Sequence, residues 1–484
     1  MLESVDVFYG GGFHTTRAGI RVDLVDPSTE EAFASVGVAT ADDVDPAVDA
    51  AQTAFDDWAG LTFAERASVI DRIVRAWRGR ADDIAASVSR EMGMPFANSL
   101  LSNGTGSARN FEYFADMARA FDAEQRRTAL SFPGESLVRW SPVGVVAAIA
   151  PWNYPCYLMT SKLAPAMAAG CTVVLKPPIE NGVTARLMAE VMIEAEVPAG
   201  VVNIVVGDVA FAEGLVAHPD VAKIAFTGST AVGKYIGAVA GGRLASTNLE
   251  LGGKSAALVL NDADLEHTVR ELPPLSFRNS GQTCFAQTRV VATPAVYDAV
   301  VQGFAQWTAA QTLGPAFAET TTLGPLASAR QRATAHRFID SGLSSGFRLV
   351  AGGRDAEIPG TGYFVAPTVF ADVDNDSELA QEEVFGPVVC IIPAADEDDA
   401  IRIANDSRYG LAATVWTRDT DRGIRVARRL QAGTVGINGY RPDLAAPFGG
   451  VKESGCGREN GLEGLHEFLR PDSVYVFDTA SGRP

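Results

Sequence analysis

The chain has 484 residues, 47% of them hydrophobic and 20% charged, which excludes a disordered or collagen-like protein and suggests about three structural units around sizeable cores. Acidic residues outnumber basic ones 59 to 40, a formal charge of -19. That balance excludes nucleic-acid and anionic-membrane partners, since both would repel it.

The opening MLESVDVFYGGGFHTT lacks a basic stretch followed by an apolar run, so no secretory leader is expected. No uncharged apolar run reaches the ~18 residues of a membrane span. Residues 42–130 read as mostly helical, with apolar residues at three-to-four spacing and Thr62 standing before Glu65 as in a capping box. From 138 the pattern changes to short buried-strand runs alternating with helices: VGVVAAIA, SKLAPAMAAG, CTVVLKPP, TARLMAEVMIEA, VVNIVVGD and AKIAFTGST. Continuous apolar strands between helices mark a parallel α/β sheet. A second run of this kind extends from about 249 to 460 and includes LELGGKSAALVL, FGPVVCIIP and LAATVWT. SLVRW at 136–140 and the tail SVYVFD alternate in period two, as strands of a small satellite sheet would. The five cysteines (156, 171, 284, 390, 456) are widely spaced and form no CxxC or Cys/His cluster. No disulfide framework or metal site is therefore expected, and a reduced, cytoplasmic compartment is.

Four segments carry chemistry. Cys284 closes NSGQTC, a loop of small and polar residues. A lone cysteine is usually a small buried hydrophobe, but polar neighbours favour a tuned nucleophile, with Gly281 admitting a ligand and Asn279 and Gln282 offering hydrogen bonds. Glu250 in NLELGGKS reads equally as a desolvated general base or as a strand-end acid paired with Lys254 or an arginine. Asn153 in PWNYP follows an apolar strand, where an amide serves either an oxyanion or a turn. Gly228 to Lys234 fits G-x-x-x-x-G-K, but Tyr235 stands where a nucleotidase needs Ser or Thr. What survives is a glycine turn leading into a helix N-terminus that attracts phosphate, with Ser229 beside it. No G-x-G-x-x-G follows a strand. Lysine is rare, at 162, 176, 223, 234, 254 and 452 only.

In order, PWNYP (151–155), LKPP (175–178), FTGST (226–230), LELGGKS (249–255), NSGQTC (279–284), EEVFGPV (382–388), NDSRYGLAA (405–413) and PFGGVKESGCGRE (447–459) resemble the NAD(P)-dependent aldehyde dehydrogenase superfamily, from about 20 to 475. The resemblance implies an α/β fold of three parts. These are a variant Rossmann cofactor domain (1–122 with 143–250), an α/β catalytic domain (251–469) and a small β oligomerisation element (123–142 with 470–484). A homodimer or homotetramer is expected.

The resemblance assigns Cys284 as the nucleophile on an aldehyde. The Asn153 side chain and Cys284 N–H would form the oxyanion hole, and Glu250 would activate the water that hydrolyses the thioester left after hydride transfer. Lys162 would support the active-site amide network, and Glu459 would act as a secondary proton relay. For the cofactor it implies Ile149, Trp152, Lys176, Gly207, Gly228, Ser229, Leu251, Glu383 and Phe385. Lys176 would meet the adenosine ribose, Ser229 the pyrophosphate, and Glu383 the nicotinamide ribose, with Phe385 against the ring. Many relatives carry an acid three residues after the LKP lysine. Here Ile179 stands there and Glu180 follows it, which weakens repulsion of a 2′-phosphate. Both NAD and NADP are expected to serve, NAD slightly better.

Two other readings compete. A coenzyme-A-acylating enzyme on the same fold needs no base for water, which Glu250 argues against. A catalytically dead homologue tends to lose its nucleophile or base, and this chain keeps both. The implied substrate channel is lined by Tyr154, Leu158, Ser161, Thr283, Phe285 and Phe448, a mostly apolar set that favours an aliphatic or aromatic aldehyde. Ser161 replaces a bulky aromatic of several relatives, widening the channel and weakening a quaternary-ammonium reading. Arg441 would select an acidic aldehyde unless it is a surface residue.

Overall fold

The computed structural model describes residues 7–478, with the backbone of residues 2 and 3. The remainder of 1–6 and residues 479–484, at the outer ends of the expected cofactor and oligomerisation segments, lie outside the described residues.

Two large sheets organise the chain. The first has eight strands in the order Gly455–Cys456, Ser246–Glu250, Val221–Thr227, Val145–Ile149, Thr172–Lys176, Val202–Ile204, Val7–Tyr9 and Gly12–His14. Its five inner strands are parallel. The outer ones join antiparallel. Val145–Ile149 is buried at every position, as a strand covered by helices on both faces must be. From it the chain order runs one way through 172–176 and 202–204, and the other way through 221–227 and 246–250. The crevice at that reversal, beyond the carboxyl ends of Ile149 and Thr227, is where open α/β sheets bind ligands.

The second sheet has seven strands, in the order Arg348–Ala351, Thr368–Ala371, Val388–Pro393, Arg289–Ala292, Ala256–Val259, Ala412–Trp416 and Thr434–Ile437. All its pairings but the first are parallel. A third, antiparallel sheet joins Leu469–Phe477 to Gly134–Pro142 and that strand to Glu124–Thr128. A small sheet of 2–3, Arg21–Asp26 and Glu31–Gly37 completes the set.

The sequence-based elements fall where expected with two differences. Helix runs only to Ala120, and Glu124–Thr128, all five residues exposed, is a strand rather than the end of the helical region. Its bonds come from Gly134–Pro142, within the 123–142 segment expected from the resemblance to form a small β element. Gly455–Cys456 returns to the first sheet and pairs with Leu249 and Glu250, so the segment expected to be purely catalytic supplies an edge to the cofactor sheet. The Thr62–Glu65 capping box is present, with Thr62 N–H donating to the Glu65 carboxylate at 2.7 Å.

Candidate active site

The site gathers at the carboxyl ends of the first sheet's inner strands, against the loop that enters Arg289–Ala292 of the second. Asn153 follows Val145–Ile149 and is 3% exposed. Its Nδ2 donates to the Gln282 carbonyl at 2.9 Å and its Oδ1 has no partner. Asn279 Nδ2 donates back to the Asn153 carbonyl at 3.0 Å. This side-chain amide thus spans the two sheets and touches the loop that ends at Cys284.

That loop is built on three consecutive left-handed residues, Asn279 (φ 52°), Ser280 (φ 53°) and Gly281 (φ 77°). Left-handed non-glycine residues cost about 1–3 kcal/mol each and persist only when surroundings over-determine them. Here Ser280 Oγ donates to the Gly324 carbonyl at 2.7 Å, and Gln282 Oε1 accepts from Ala327 N–H at 2.9 Å. Gly281 does not open space for a ligand, as the sequence suggested. A Cβ there would stand 2.0 Å from the Gly386 carbonyl oxygen, so the glycine lets two backbones cross. Asn279 and Gln282 likewise spend their amides on the loop itself. The outcome is a fixed, half-buried Cys284 whose thiol is pushed up by burial, then by the charges of Glu383 and Glu250.

Glu250 ends its strand directly opposite Thr227. It is 3% exposed, and neither carboxylate oxygen has a hydrogen-bond partner. The pairing with Lys254 or an arginine does not occur, because the Gly252–Gly253 turn sends Lys254 to the far side. Burial first, and the charge of Glu459 second, hold the Glu250 carboxyl well above the usual range. Gly449 lies so close that a Cβ on it would come within 2.7 Å of Glu250 Oε1.

Beside it runs a buried polar line. Lys162 Nζ donates to Glu459 Oε1 and to Thr227 Oγ1, each at 2.6 Å. Lys162 therefore serves Glu459 and a hydroxyl rather than the Asn153 amide. Ser161, expected as an open channel wall, is 2% exposed, with its hydroxyl 3.0 Å from the Leu158 carbonyl and 3.2 Å from Glu459 Oε2. A small hydroxyl in place of a ring turns toward the nearest buried carboxylate instead of the channel.

Ile149 and Lys176 are register partners at adjacent strand ends. Burial holds the Lys176 ammonium below its usual range, against the nearby charges of Glu180 and Asp208. Ser229 is the N-cap of the helix Thr230–Gly242, accepting from Val232 N–H. A Cβ on Gly228 would stand 2.4 Å from the Phe226 ring, and one on Gly207 2.5 Å from Phe211. Leu251 packs under Gly233. Glu383 accepts from Gly253 N–H at 3.0 Å, and burial raises its carboxyl to about 7. Phe385, at φ 53°, meets Trp152 edge to face at 5.3 Å.

Toward the mouth, Tyr154 OH and Thr283 Oγ1 lie 3.1 Å apart, and Phe285 contacts Phe448 (6.3 Å between ring centres) and Tyr440 (5.3 Å). Leu158 is half-buried beside them. Tyr440, Thr227 and Ser454 were not singled out from the sequence. Tyr440 had a signal, its place one residue before Arg441 in NGYRPD. Ser454 Oγ donates to the Gly252 carbonyl at 2.6 Å and accepts from Gly410 N–H at 2.9 Å, contacts between residues 44 and 202 positions apart that no local pattern reveals. Arg441 is exposed, with its charge acting on the Tyr157 hydroxyl. Lys234, the look-alike phosphate lysine, is paired with Glu453 at 2.7 Å. Among the described residues no group of His, Cys, Asp or Glu is arranged to hold a metal, and no helix is long and apolar enough to cross a membrane.

Comparison with known proteins shows the family. The aldehyde dehydrogenase family model matches residues 14–474. A geranial dehydrogenase of Castellaniella defragrans is 45% identical over 474 residues, 97% of this chain and 98% of that protein. Among solved structures, a Mycobacterium tuberculosis aldehyde dehydrogenase complexed with NAD+ superposes with a TM-score of 0.95 at 42% identity, covering 98% of each chain. A mutant aldehyde dehydrogenase C of Pseudomonas syringae, complexed with NAD+ and octanal, gives 0.95 at 35% identity over 98% of this chain and 97% of that one. With Cys284, Glu250 and Asn153 brought together between two sheets of that fold, the chain belongs to the aldehyde dehydrogenase family, oxidoreductases acting on an aldehyde group.

Proposed function

We propose that this protein oxidises an apolar aldehyde to the carboxylic acid with NAD as electron acceptor, through Cys284 as nucleophile and Glu250 as base. The observation that carries this reading is the Glu250 carboxylate: buried, without a hydrogen-bond partner, and close enough to Cys284 to raise its thiol. A structural acid would be paired. An unpaired one with a raised pKa is suited to taking a proton.

The residues fit the cofactor. Ser229 opens a helix whose N-terminal amides suit a pyrophosphate, and Lys176 ends a strand of the same sheet, while Gly228 and Gly207 give their room to the rings of Phe226 and Phe211. The bound nicotinamide supplies a hydride acceptor. The chain supplies the rest. Cys284 rests as a thiol, so its proton leaves as sulfur meets the carbonyl carbon, and Glu250 takes it directly or through water. One Asn153 N–H is committed to Gln282, and the other is left for the carbonyl oxygen as it gains charge, together with the Cys284 N–H. Glu250 then draws a proton from the water that frees the acid from sulfur. The Lys162–Glu459 pair lies beside Glu250 and relays that proton outward.

An apolar aldehyde suits the aromatic group of Phe285, Phe448 and Tyr440. The geranial activity of one relative and the octanal held by another support this choice. Ile179 is half-buried against two apolar clusters and places no charge at the ribose, which supports use of NADP as well. Self-association as a dimer or tetramer would use the third sheet, where Val474, Tyr475, Val476 and Phe477 are 45–62% exposed on an edge strand. Five free cysteines fit a cytoplasmic location. The test is NADH formation and free-acid release with hexanal, benzaldehyde and succinic semialdehyde, without coenzyme A. Hexanal or benzaldehyde turnover that vanishes in Cys284→Ala supports the proposal, whereas acid release that requires coenzyme A refutes it.

A further inference from the structure

Lys234 and Lys452, which the catalytic account leaves aside, meet at one turn, Lys452–Ser454. The turn is bonded on both sides. Lys452, at φ 54°, donates from Nζ to the carbonyls of Asn405 and Ser407 at 2.6 and 3.0 Å. A left-handed side-chain residue of this kind persists where its neighbours over-determine it. Ser454 joins the Gly252 carbonyl to the Gly410 N–H, and the Glu453 carbonyl accepts from Thr230 Oγ1 at 3.2 Å. Thr230 directly follows Ser229, the N-cap of its helix.

The Glu453 carboxylate is the centre of a chain of alternating charges. Lys234 Nζ lies 2.7 Å from its Oε1, and Arg408 Nη1 lies 3.8 Å from its Oε2. Arg408 Nη2 in turn pairs with Glu382 Oε2 at 2.5 Å. Glu382 precedes Glu383, whose carboxyl also feels the Arg408 charge. One end of the chain is thus the helix that Ser229 opens, and the other is the backbone that carries Glu383. The four side chains are 34–59% exposed. A single pair so exposed contributes little, but linked pairs held by a fixed turn hold their geometry better.

We propose, on the expected placement of the pyrophosphate at Ser229 and of the nicotinamide ribose at Glu383, that Glu453 and Arg408 are positioning residues for the cofactor. The chain Lys234–Glu453–Arg408–Glu382 ties the two contact ends together at the span that bound NAD requires. An extended ligand loses less free energy to ordering when both ends of its site are already held. Neither residue touches the reacting atoms, so the effect falls on cofactor affinity.

The test follows NAD binding to the whole protein without aldehyde, by calorimetry, at about 20 mM and about 500 mM NaCl. Glu453→Gln keeps the side-chain size and the backbone bonds of the turn. It should raise the Kd for NAD by about 3- to 10-fold at low salt, and the ratio to wild type should fall toward 1 at high salt, where exposed charges are screened. Lys234→Met should show a smaller loss with the same salt dependence. The double variant should bind no more weakly than Glu453→Gln, because both act through one pair. An unchanged Kd in Glu453→Gln, or a loss that high salt leaves intact, would overturn the proposal. So would additive losses in the double variant, which would make Lys234 a direct phosphate contact. Failure of the wild-type protein to bind NAD at all would instead remove the cofactor placement on which the chain acts.

Discussion

Lys162 and Glu459, 297 positions apart in sequence, meet at 2.6 Å in the buried centre of the site, with side chains 1% and 9% exposed. One sits on the helix that begins at Pro155, the other on the returning segment after Gly455–Cys456. A single ion pair thus fixes the late segment against the first sheet. Glu459→Gln leaves a buried ammonium with only Thr227 as partner, and breaking such a pair costs about 3–5 kcal/mol. Thermal or denaturant unfolding of the variant should show that loss, and wild-type stability would place the pair outside the folding balance.

Asn153→Ala removes the one side-chain amide that reaches from the first sheet to the Cys284 loop. Loss of one oxyanion donor costs about 10²–10³ in kcat. Because the Asn153 side chain also donates to the Gln282 carbonyl, a fall in Tm is expected alongside, and thermal unfolding measured beside steady-state kinetics separates the two effects.

Gly281→Ala tests the loop itself. Its φ of 77° is strained for any side chain, and the new methyl would meet the Gly386 carbonyl carbon at 2.3 Å and its oxygen closer still. The loop must shift by more than a near-attack geometry tolerates, so turnover should fall by at least about 100-fold. Labelling of Cys284 with iodoacetamide, followed by mass spectrometry, should show an altered rate in the same variant.

Cofactor choice follows from Ile179. With an uncharged side chain at 179, kcat/KM for NAD and NADP should differ by less than about 100-fold, and Ile179→Glu should widen the ratio in favour of NAD by adding like-charge repulsion. Kinetics with both cofactors, at fixed aldehyde, measure it directly.

The sequence made the sheets legible where periodicity is strong. Val145–Ile149, Thr172–Lys176 and Ala412–Trp416 are continuous apolar runs, and they are fully or almost fully buried strands. Glu124–Thr128 carries no strand periodicity, because an exposed strand of charged residues has no buried face to pattern, and only the family resemblance implied a β element over 123–142. The hairpin Val7–Tyr9 with Gly12–His14 escaped for its brevity. At the site, motif order located Cys284, Glu250 and Asn153, whereas the roles of Gly281 and Ser161 depend on partners 105 and 298 positions away: the backbone at Gly386 and the carboxylate of Glu459. Such contacts are set by how two sheets meet, and no local spacing encodes them.

Glu250 offers the sharpest kinetic signature. Burial and Glu459 hold its carboxyl above the ordinary range, so the active, ionised form is gained only as pH rises beyond where exposed carboxylates titrate. The rate kcat should therefore climb with pH through that raised value, and Glu250→Gln should remove this limb while lowering kcat by about 10²–10⁴. Glu383, raised by burial to about 7, also titrates, so Glu383→Gln must retain the limb if Glu250 is its source. Rapid mixing adds a second criterion. If the base acts mainly on water, Glu250→Gln should form up to one equivalent of NADH per site and then stall, because the acyl group remains on Cys284. A variant that turns over at the wild-type rate, with the same pH limb, would show that this carboxylate does not activate the water.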